Sequence, residues 1–175
     1  MKTSIALIGF MGTGKTVVGK MLAEKLGKAF VELDEAIVKK AGKSIADIFR
    51  DDGEIHFREL EIEVVKEAAS LKNTVIACGG GIVLNMINIM RLRQECVIVC
   101  LTASLSDVLQ RTSVDKNSRP LLAVVDREKT INELLDLRRP FYERAAEITV
   151  DTSGINAPGV VQKMLSILGK YESHD

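Results

Sequence analysis

The sequence predicts an α/β fold in which a parallel sheet is covered by helices on both faces. Short apolar runs, mostly rich in Val and Ile, alternate along the chain with longer amphipathic runs, and no internal repeat interrupts the alternation. Apolar runs of this kind are typical of strands that are buried on both sides. Because strands and helices alternate, the predicted architecture is a three-layer α/β/α domain.

Five apolar runs fit such buried strands. In a parallel sheet the carboxyl ends of the strands meet at one edge, and ligands bind there. Polar or glycine-rich segments that follow a strand are therefore the first candidates for a functional site. The predicted strands are Ser4–Ile8, Ala29–Leu33, Thr74–Cys78, Val97–Leu101 and Ile148–Val150.

Three amphipathic runs predict helices, because apolar residues recur in them every three or four positions. Gly27 is placed to end the first helix, and Pro158 fits the first turn of the last one. The apolar stripes consist of Val17, Val18, Met21, Leu22 and Leu26, of Phe57, Leu60, Val64 and Ala68, and of Val161, Met164, Leu165 and Leu168.

Length and charge limit the possible functions. The chain has 175 residues, which suits a single domain spanning 1–175, and its 24 basic and 24 acidic residues give a net charge of zero. No overall field favours a nucleic acid or an anionic membrane as partner. No apolar segment has the length of a membrane span, and the first residues lack a cleavage site. We expect a monomeric cytoplasmic protein, in which Cys78, Cys96 and Cys100 are small buried apolar residues.

The segment "GFMGTGKT", Gly9–Thr16, matches the phosphate-binding loop G-x-x-x-x-G-K-[ST] between a predicted strand and a predicted helix. Its glycines let backbone N–H groups face phosphate oxygens at a helix N-terminus. Lys15 would reach the β- and γ-phosphates of ATP, and the Thr16 hydroxyl would bind Mg²⁺. The candidate ATP-binding residues here are Gly12, Thr13, Gly14, Lys15, Thr16 and Val17. The alternative is a glycine-rich turn without a ligand. No guanine-recognition motif of the N-K-x-D type follows a later strand, which argues against a GTPase.

Two carboxylates close the second predicted strand. Glu32 and Asp34 occupy alternate positions, so both side chains are expected on one side near the phosphate loop. One could help to hold a hydrated metal ion, and the other could orient or deprotonate an acceptor hydroxyl. Alternatively, Asp34 caps the N-terminus of the helix that follows.

Three arginines are candidates for binding an anion: Arg58, Arg119 and Arg138. Arginine binds planar carboxylates through two parallel hydrogen bonds. Each could instead lie on the solvated surface, and Arg58 could form a surface ion pair with Glu54 or Glu61, which are at helical spacing from it.

A polar stretch without clear periodicity extends from Gln110 to about Arg127 and is either a mobile loop over the site or a surface connection. Pro140, further along, is expected to kink or end a helix.

Three consecutive glycines, Gly79–Gly81, follow the third predicted strand. They lower the stability of an ordered backbone, so they indicate either a close approach of other atoms or a positive φ. The alternative is a permissive turn.

Taken in order, these segments resemble the shikimate kinase family from about Ile5 to Val161. The resemblance is carried by "GFMGTGKT", the carboxylate pair, "SIADIFRDDGEIHFRELE", "GGGIV", "SRPLL" and "RRPFYERA". It implies a P-loop kinase of the nucleoside monophosphate kinase type, with strand order 2-3-1-4-5, substrate-binding helices at about 34–62 and a mobile lid at about 112–124. It also implies transfer of the ATP γ-phosphate to the 3-hydroxyl of shikimate, with Mg²⁺ as cofactor, on the route to chorismate and aromatic amino acids.

The resemblance also implies a role for each candidate residue. Asp34 would contact the shikimate hydroxyls and act as base, while Arg58 and Arg138 would bind the carboxylate. Gly80 and Gly81 would offer backbone close to the ring. The catalytic set would be Lys15, Asp34 and Arg119.

The nucleotide and metal contacts follow from the same resemblance. Arg119 would neutralise the phosphoryl group in transit, and Arg111 would pack against adenine. Thr16 and Glu32 would hold the metal, the latter through water. Here the sequence departs from the family, which commonly has Asp in place of Glu32. The alternatives are another small-molecule kinase, for gluconate or a nucleoside monophosphate, and an ATP-binding module without catalysis.

Overall fold

The chain, described by a computed structural model over residues 2–113 and 126–172, folds around a five-stranded parallel sheet. The strands are β1 Ser4–Ile8, β2 Ala29–Glu32, β3 Thr74–Ala77, β4 Cys96–Thr102 and β5 Ile148–Asp151. Their order is β2-β3-β1-β4-β5, and every neighbouring pair is parallel. The predicted fold class and strand order are confirmed.

Helices cover both faces of the sheet. They are α1 Lys15–Leu26, α2 Leu33–Ala41, α3 Ile45–Asp51, α4 Gly53–Ala69, α5 Met86–Glu95, α6 Leu105–Thr112, α7 Arg127–Ala145 and α8 Ala157–Glu172, with a short 3-10 helix at Ile82–Leu84.

The core has two halves because successive side chains of each strand point to opposite faces. Ile5 and Leu7 of β1 pack in the half that contains α1 and α8. Ala6 and Ile8 pack in the half that contains α2, α4, α5 and α7. All three cysteines are buried and free, as predicted.

Several predicted boundaries need correction. β2 ends at Glu32, and Leu33 begins α2, where it is fully buried among apolar residues of the core. The polar stretch begins later than expected, since Gln110 still belongs to α6. α7 continues through Pro140. A proline removes one hydrogen bond and crowds the preceding turn, but Tyr142 and Ala145 beyond it are buried and hold the last turn in place.

Other local predictions hold. Gly27 caps α1 in a left-handed conformation with φ 62°, and Pro158 lies in the first turn of α8. Within the two described ranges, no helix is both long and apolar enough to cross a membrane.

Candidate active site

The phosphate loop connects β1 to α1 and requires its glycines. Gly9, Gly12 and Gly14 have φ values of 142°, 76° and 93°, which side chains other than glycine rarely adopt. A Cβ at Gly9 would also overlap the carbonyl oxygen of Leu101 at the end of β4. The loop conformation is therefore fixed by sequence, and it directs the N-terminus of α1 toward the site.

Two side chains brace this loop. The Lys15 ammonium donates hydrogen bonds of 2.9 Å to the carbonyl oxygens of both Gly9 and Phe10. The buried Thr13 hydroxyl donates to Phe10 O at 2.8 Å. A cation and a helix N-terminus thus lie together, which is the arrangement that binds phosphate groups.

A pair of oxygen donors lies next to the loop. The Thr16 hydroxyl, in the first turn of α1, donates to Glu32 Oε1 at 2.8 Å. Burial raises the pKa of Glu32, and the nearby charge of Asp34 acts in the same direction, against the hydrogen bond from Thr16. In the described ranges no group of three or more His, Cys, Asp or Glu side chains forms a metal cage. Two hard oxygen donors beside a phosphate site nevertheless fit Mg²⁺, which keeps waters and phosphates as its other ligands.

Asp34 reaches the site from α2 and not from a strand. It lies in the first turn of α2 and does not cap it, since Glu32 occupies the N-cap position. The interpretation of Asp34 as a helix cap is therefore wrong. Its carboxylate faces the loop after β3, because a Cβ at Gly79 would lie 2.8 Å from Asp34 Oδ1. The two carboxylates thus point to different partners: Glu32 to the phosphate loop and Asp34 to the triple glycine.

Arg58, on α4, is held between two glutamates. Its Nη1 atom donates to both Glu61 oxygens at 3.1 Å, and its Nε and Nη2 atoms donate to Glu54 Oε1 at 3.3 and 3.1 Å. The Glu54 side chain is 60% exposed and the Glu61 side chain only 2%. Burial raises the pKa of Glu61, although Arg58 opposes this rise. A carboxylate ligand could replace the exposed Glu54, while Glu61 remains beneath Arg58.

The triple glycine is the point where these groups meet. None of Gly79, Gly80 and Gly81 has a positive φ, so close approach is what requires glycine at Gly79 and Gly81, while a Cβ at Gly80 would make only ordinary contacts. A Cβ at Gly81 would lie 2.5 Å from Arg58 Nη1. A Cβ at Gly80 would lie 3.6 Å from Met11 N of the phosphate loop. Only the backbone of Gly79–Gly81 therefore lies between the phosphate loop and Arg58.

α7 supplies the second arginine. Arg138 is 6% exposed, and its Nη1 atom donates to Gly80 O at 3.5 Å. Tyr142, one turn later, donates its hydroxyl to the same oxygen at 2.5 Å. Sequence reasoning missed Tyr142, and it considered Glu61 only as a surface partner. The available signal was helical spacing, since Tyr142 is four residues from Arg138 and Glu61 is three from Arg58.

Arg111 lies on another side of the phosphate loop. Its Nη1 atom donates to Gly12 O at 3.3 Å, and its Nη2 atom donates to Thr152 O at 2.9 Å. Val17 is exposed in the first turn of α1. Arg119 and all but the first two residues of the predicted lid lie outside the described ranges.

The charged groups of this site indicate which ligands it can bind. An anion cradle with a lysine adjoins a patch that carries two guanidinium groups and a half-buried aspartate. Phosphate would bind on one side of the triple glycine, and a hydroxylated carboxylic acid on the other. Such a site can align a phosphoryl donor with an acceptor hydroxyl.

Comparisons with known proteins identify the family to which the chain is similar. The sequence profile of the family "Shikimate kinase" matches residues 11–169. A shikimate kinase of Thermodesulfovibrio yellowstonii is 46% identical over 97% of this chain and 95% of its own length. One of Caldanaerobacter subterraneus subsp. tengcongensis is 48% identical over 93% and 94%. A solved shikimate kinase of Acinetobacter baumannii, in complex with shikimate, has a TM-score of 0.93 and 38% identity over 98% of this chain and 95% of that one.

Proposed function

The chain belongs to the shikimate kinase family, and on this premise we propose that it transfers the γ-phosphate of ATP to the 3-hydroxyl of shikimate. The products are shikimate 3-phosphate and ADP, on the route to chorismate and the aromatic amino acids. One observation carries the proposal most directly. Cβ atoms added to Gly79–Gly81 would lie within 4 Å of Asp34, Arg58, Arg138 and the backbone of the phosphate loop, so all of these groups surround one short segment.

The acceptor binds on the α2, α4 and α7 side of that segment. Its carboxylate pairs with Arg58 and Arg138, and the Arg58 donors Nε and Nη2 become available when the exposed Glu54 side chain moves away. Asp34 accepts hydrogen bonds from ring hydroxyls. Gly80 and Gly81 leave room for the ring because they carry no side chain.

The reaction needs alignment and charge stabilisation more than covalent help from the protein. Asp34 orients the acceptor hydroxyl and takes its proton. Lys15 exchanges its bonds to the loop carbonyls for the β- and γ-phosphate oxygens. Arg119 neutralises the group in transit as part of the segment 112–124, which we propose closes over the site as a lid.

Kinases of ATP need a divalent metal ion, and we propose Mg²⁺. Thr16 and Glu32 are the residues that would hold it, Thr16 directly and Glu32 through water. The ion supplies neutralisation of phosphate charge. The 2.8 Å hydrogen bond between Thr16 and Glu32 supports this proposal, because it keeps both oxygens beside the phosphate loop.

The leading alternative acceptors are gluconate and a nucleoside monophosphate. Both would use the phosphate loop, and the phosphate of a nucleotide could pair with Arg58 and Arg138 as a carboxylate does; the family of this chain favours shikimate over a nucleotide. Gluconate carries a carboxylate as well, but the family of this chain favours shikimate over gluconate.

The proposal is tested by ADP release from purified protein with ATP and Mg²⁺. Shikimate, gluconate, AMP and a blank without acceptor are compared. We expect only shikimate to raise the rate above the blank. Equal rates with shikimate and without acceptor would overturn the proposed activity and favour a non-catalytic ATP-binding role.

A further inference from the structure

A buried hydroxyl joins three elements beside the nucleotide site. Thr152 follows β5 directly and is 1% exposed. Its hydroxyl donates to Thr102 O, at the end of β4, at 2.8 Å, and lies 3.4 Å from Thr13 O of the phosphate loop. It also accepts a hydrogen bond from Arg111 Nη1, on α6, at 3.0 Å. One side chain therefore contacts β4, the phosphate loop and α6 at once.

The direction of these bonds is determined by the chemistry of a hydroxyl. A threonine has one proton to donate and two lone pairs that accept. Because the proton is directed at Thr102 O, the shortest of its contacts, a lone pair faces Arg111. Exchange of Thr152 for the isosteric valine would leave Arg111 Nη1 with only its longer bond to Gly12 O, at 3.3 Å.

The Arg111 guanidinium is held by hydrogen bonds from the N–H groups along its edge. Nη1 donates to Gly12 O and to the Thr152 hydroxyl, Nη2 donates to Thr152 O, and Asp107 Oδ1 lies 3.5 Å from Nη2. All of these partners lie at the edge of the Arg111 guanidinium, where its N–H groups point. The two flat faces of the guanidinium are therefore the part that can contact a ligand. The side chain is 29% exposed, which gives a ligand access to it. A planar cation held in this way suits stacking on an aromatic ring.

We propose that Thr152 is a positioning residue for the nucleotide. It does not touch ATP, but it sets the plane of Arg111 against the phosphate loop so that the guanidinium packs on the base. This inference rests on the proposed function and on the prediction, made from the family resemblance, that Arg111 packs against adenine. It also implies that Arg111 contacts the face of the base and contributes little to discrimination between adenine and guanine.

Binding of ADP in the presence of Mg²⁺, measured by calorimetry, tests the inference without depending on turnover. The variants are Thr152→Val, Thr152→Ser, Arg111→Ala and the double variant Thr152→Val/Arg111→Ala. Thr74→Val is the matched control, because Thr74 is likewise buried and donates its hydroxyl to a carbonyl, but at the start of β3. GDP binding is measured alongside.

We expect Thr152→Val to weaken ADP binding about three- to tenfold, the value of one hydrogen bond. GDP binding should weaken by the same factor, and the KM for shikimate should stay constant. Thr152→Ser and Thr74→Val should bind like the wild type. The double variant should bind no more weakly than Arg111→Ala, because Thr152 acts through Arg111.

Two results would overturn the inference. One is unchanged ADP binding by Thr152→Val; the other is a double variant whose loss equals the product of the two single losses. If Thr152→Val does not fold, Thr152→Ala removes the same hydroxyl from a smaller side chain and must show the same loss. A wild type that binds ADP but shows no shikimate-dependent ADP release would overturn the proposed acceptor and leave this inference standing.

Discussion

At Gly81 the absence of a side chain makes room for the guanidinium of Arg58. A Cβ there would lie 2.5 Å from Nη1 and 2.7 Å from Nη2. The crowded atoms are the end of a flexible side chain, so the clash is relieved when Arg58 moves away. We expect Gly81→Ala to raise the KM for shikimate about tenfold or more, the value of a hydrogen-bonded charge, and to lower stability as well, because the displaced Arg58 no longer pairs with the buried Glu61.

Steady-state kinetics with each substrate varied in turn check this expectation. The KM for ATP should be unchanged. Gly169→Ala, in α8, is the control, because a Cβ there meets nothing within 4 Å. An unchanged KM for shikimate in Gly81→Ala would show that Arg58 does not bind the acceptor.

The buried carboxyl of Glu61 makes the free energy of unfolding depend on pH. Burial raises its pKa above the ordinary value of 4.5, and Arg58 only partly offsets the rise. The Glu61 carboxyl therefore binds its proton more tightly in the folded protein than in the unfolded chain. The resulting stabilisation is complete below pH 4.5 and is lost as the pH rises through the raised pKa.

Urea unfolding of wild type and Glu61→Gln between about pH 4 and about pH 7 measures this dependence. The free energy of unfolding of wild type, minus that of the variant, should fall as the pH rises. Glu24→Gln, an exposed change on α1, should show no such trend. A difference that grows with pH would mean that the ion pair with Arg58 outweighs burial.

Among the elements, α7 is joined to the loop after β3 by hydrogen bonds from Arg138 and Tyr142 to Gly80 O. The bond from Tyr142, a side chain that is 6% exposed, is the shorter one at 2.5 Å. We expect Tyr142→Phe to lower the free energy of unfolding by about 1 kcal/mol and to raise the KM for shikimate. Denaturant unfolding and steady-state kinetics measure the two effects. A variant with reduced stability but an unchanged KM would restrict Tyr142 to a structural role.

The bounds of strands and helices were predicted correctly where hydrophobic periodicity or a glycine determines them. β1 and the end of α1 at Gly27 are as predicted, because a buried apolar run and a left-handed cap are local properties. The end of β2 was misplaced, because Leu33 is buried equally well in a strand or a helix. The continuation of α7 through Pro140 depends on tertiary packing of its last turn, which local sequence does not reveal.

At the scale of the whole molecule, the sheet order and the candidate site were predicted from motif order and family resemblance and not from periodicity. Residue types alone did not separate Arg58 from a surface arginine. The contacts of Tyr142 with Gly80 and of Thr152 with Arg111 join segments that are distant in sequence, so no local pattern predicts them. The pairing of Arg58 with Glu61 was predicted from helical spacing, but the burial of Glu61 was not. Arg119 stays a prediction, as do the monomeric state and the cytoplasmic location.

Closure of the proposed lid would involve the whole molecule. We expect amide hydrogen exchange across residues 112–124 to slow when ADP, Mg²⁺ and shikimate are added together, because closure would shield the segment from solvent. Exchange in β1 and β4 serves as the internal reference. Exchange that is the same with and without ligands would contradict closure of this segment.

We expect Asp34 to act on the acceptor hydroxyl beside the phosphate loop, and the turnover number of Asp34→Asn with saturating ATP and shikimate measures this action. Glu35→Gln, the exposed neighbour on α2, is the control. We predict a fall in kcat of about 10²- to 10⁴-fold for Asp34→Asn, with ADP binding retained and Glu35→Gln close to the wild type. A kcat for Asp34→Asn within a few-fold of the wild type would contradict the account, because the acceptor hydroxyl would then be activated elsewhere.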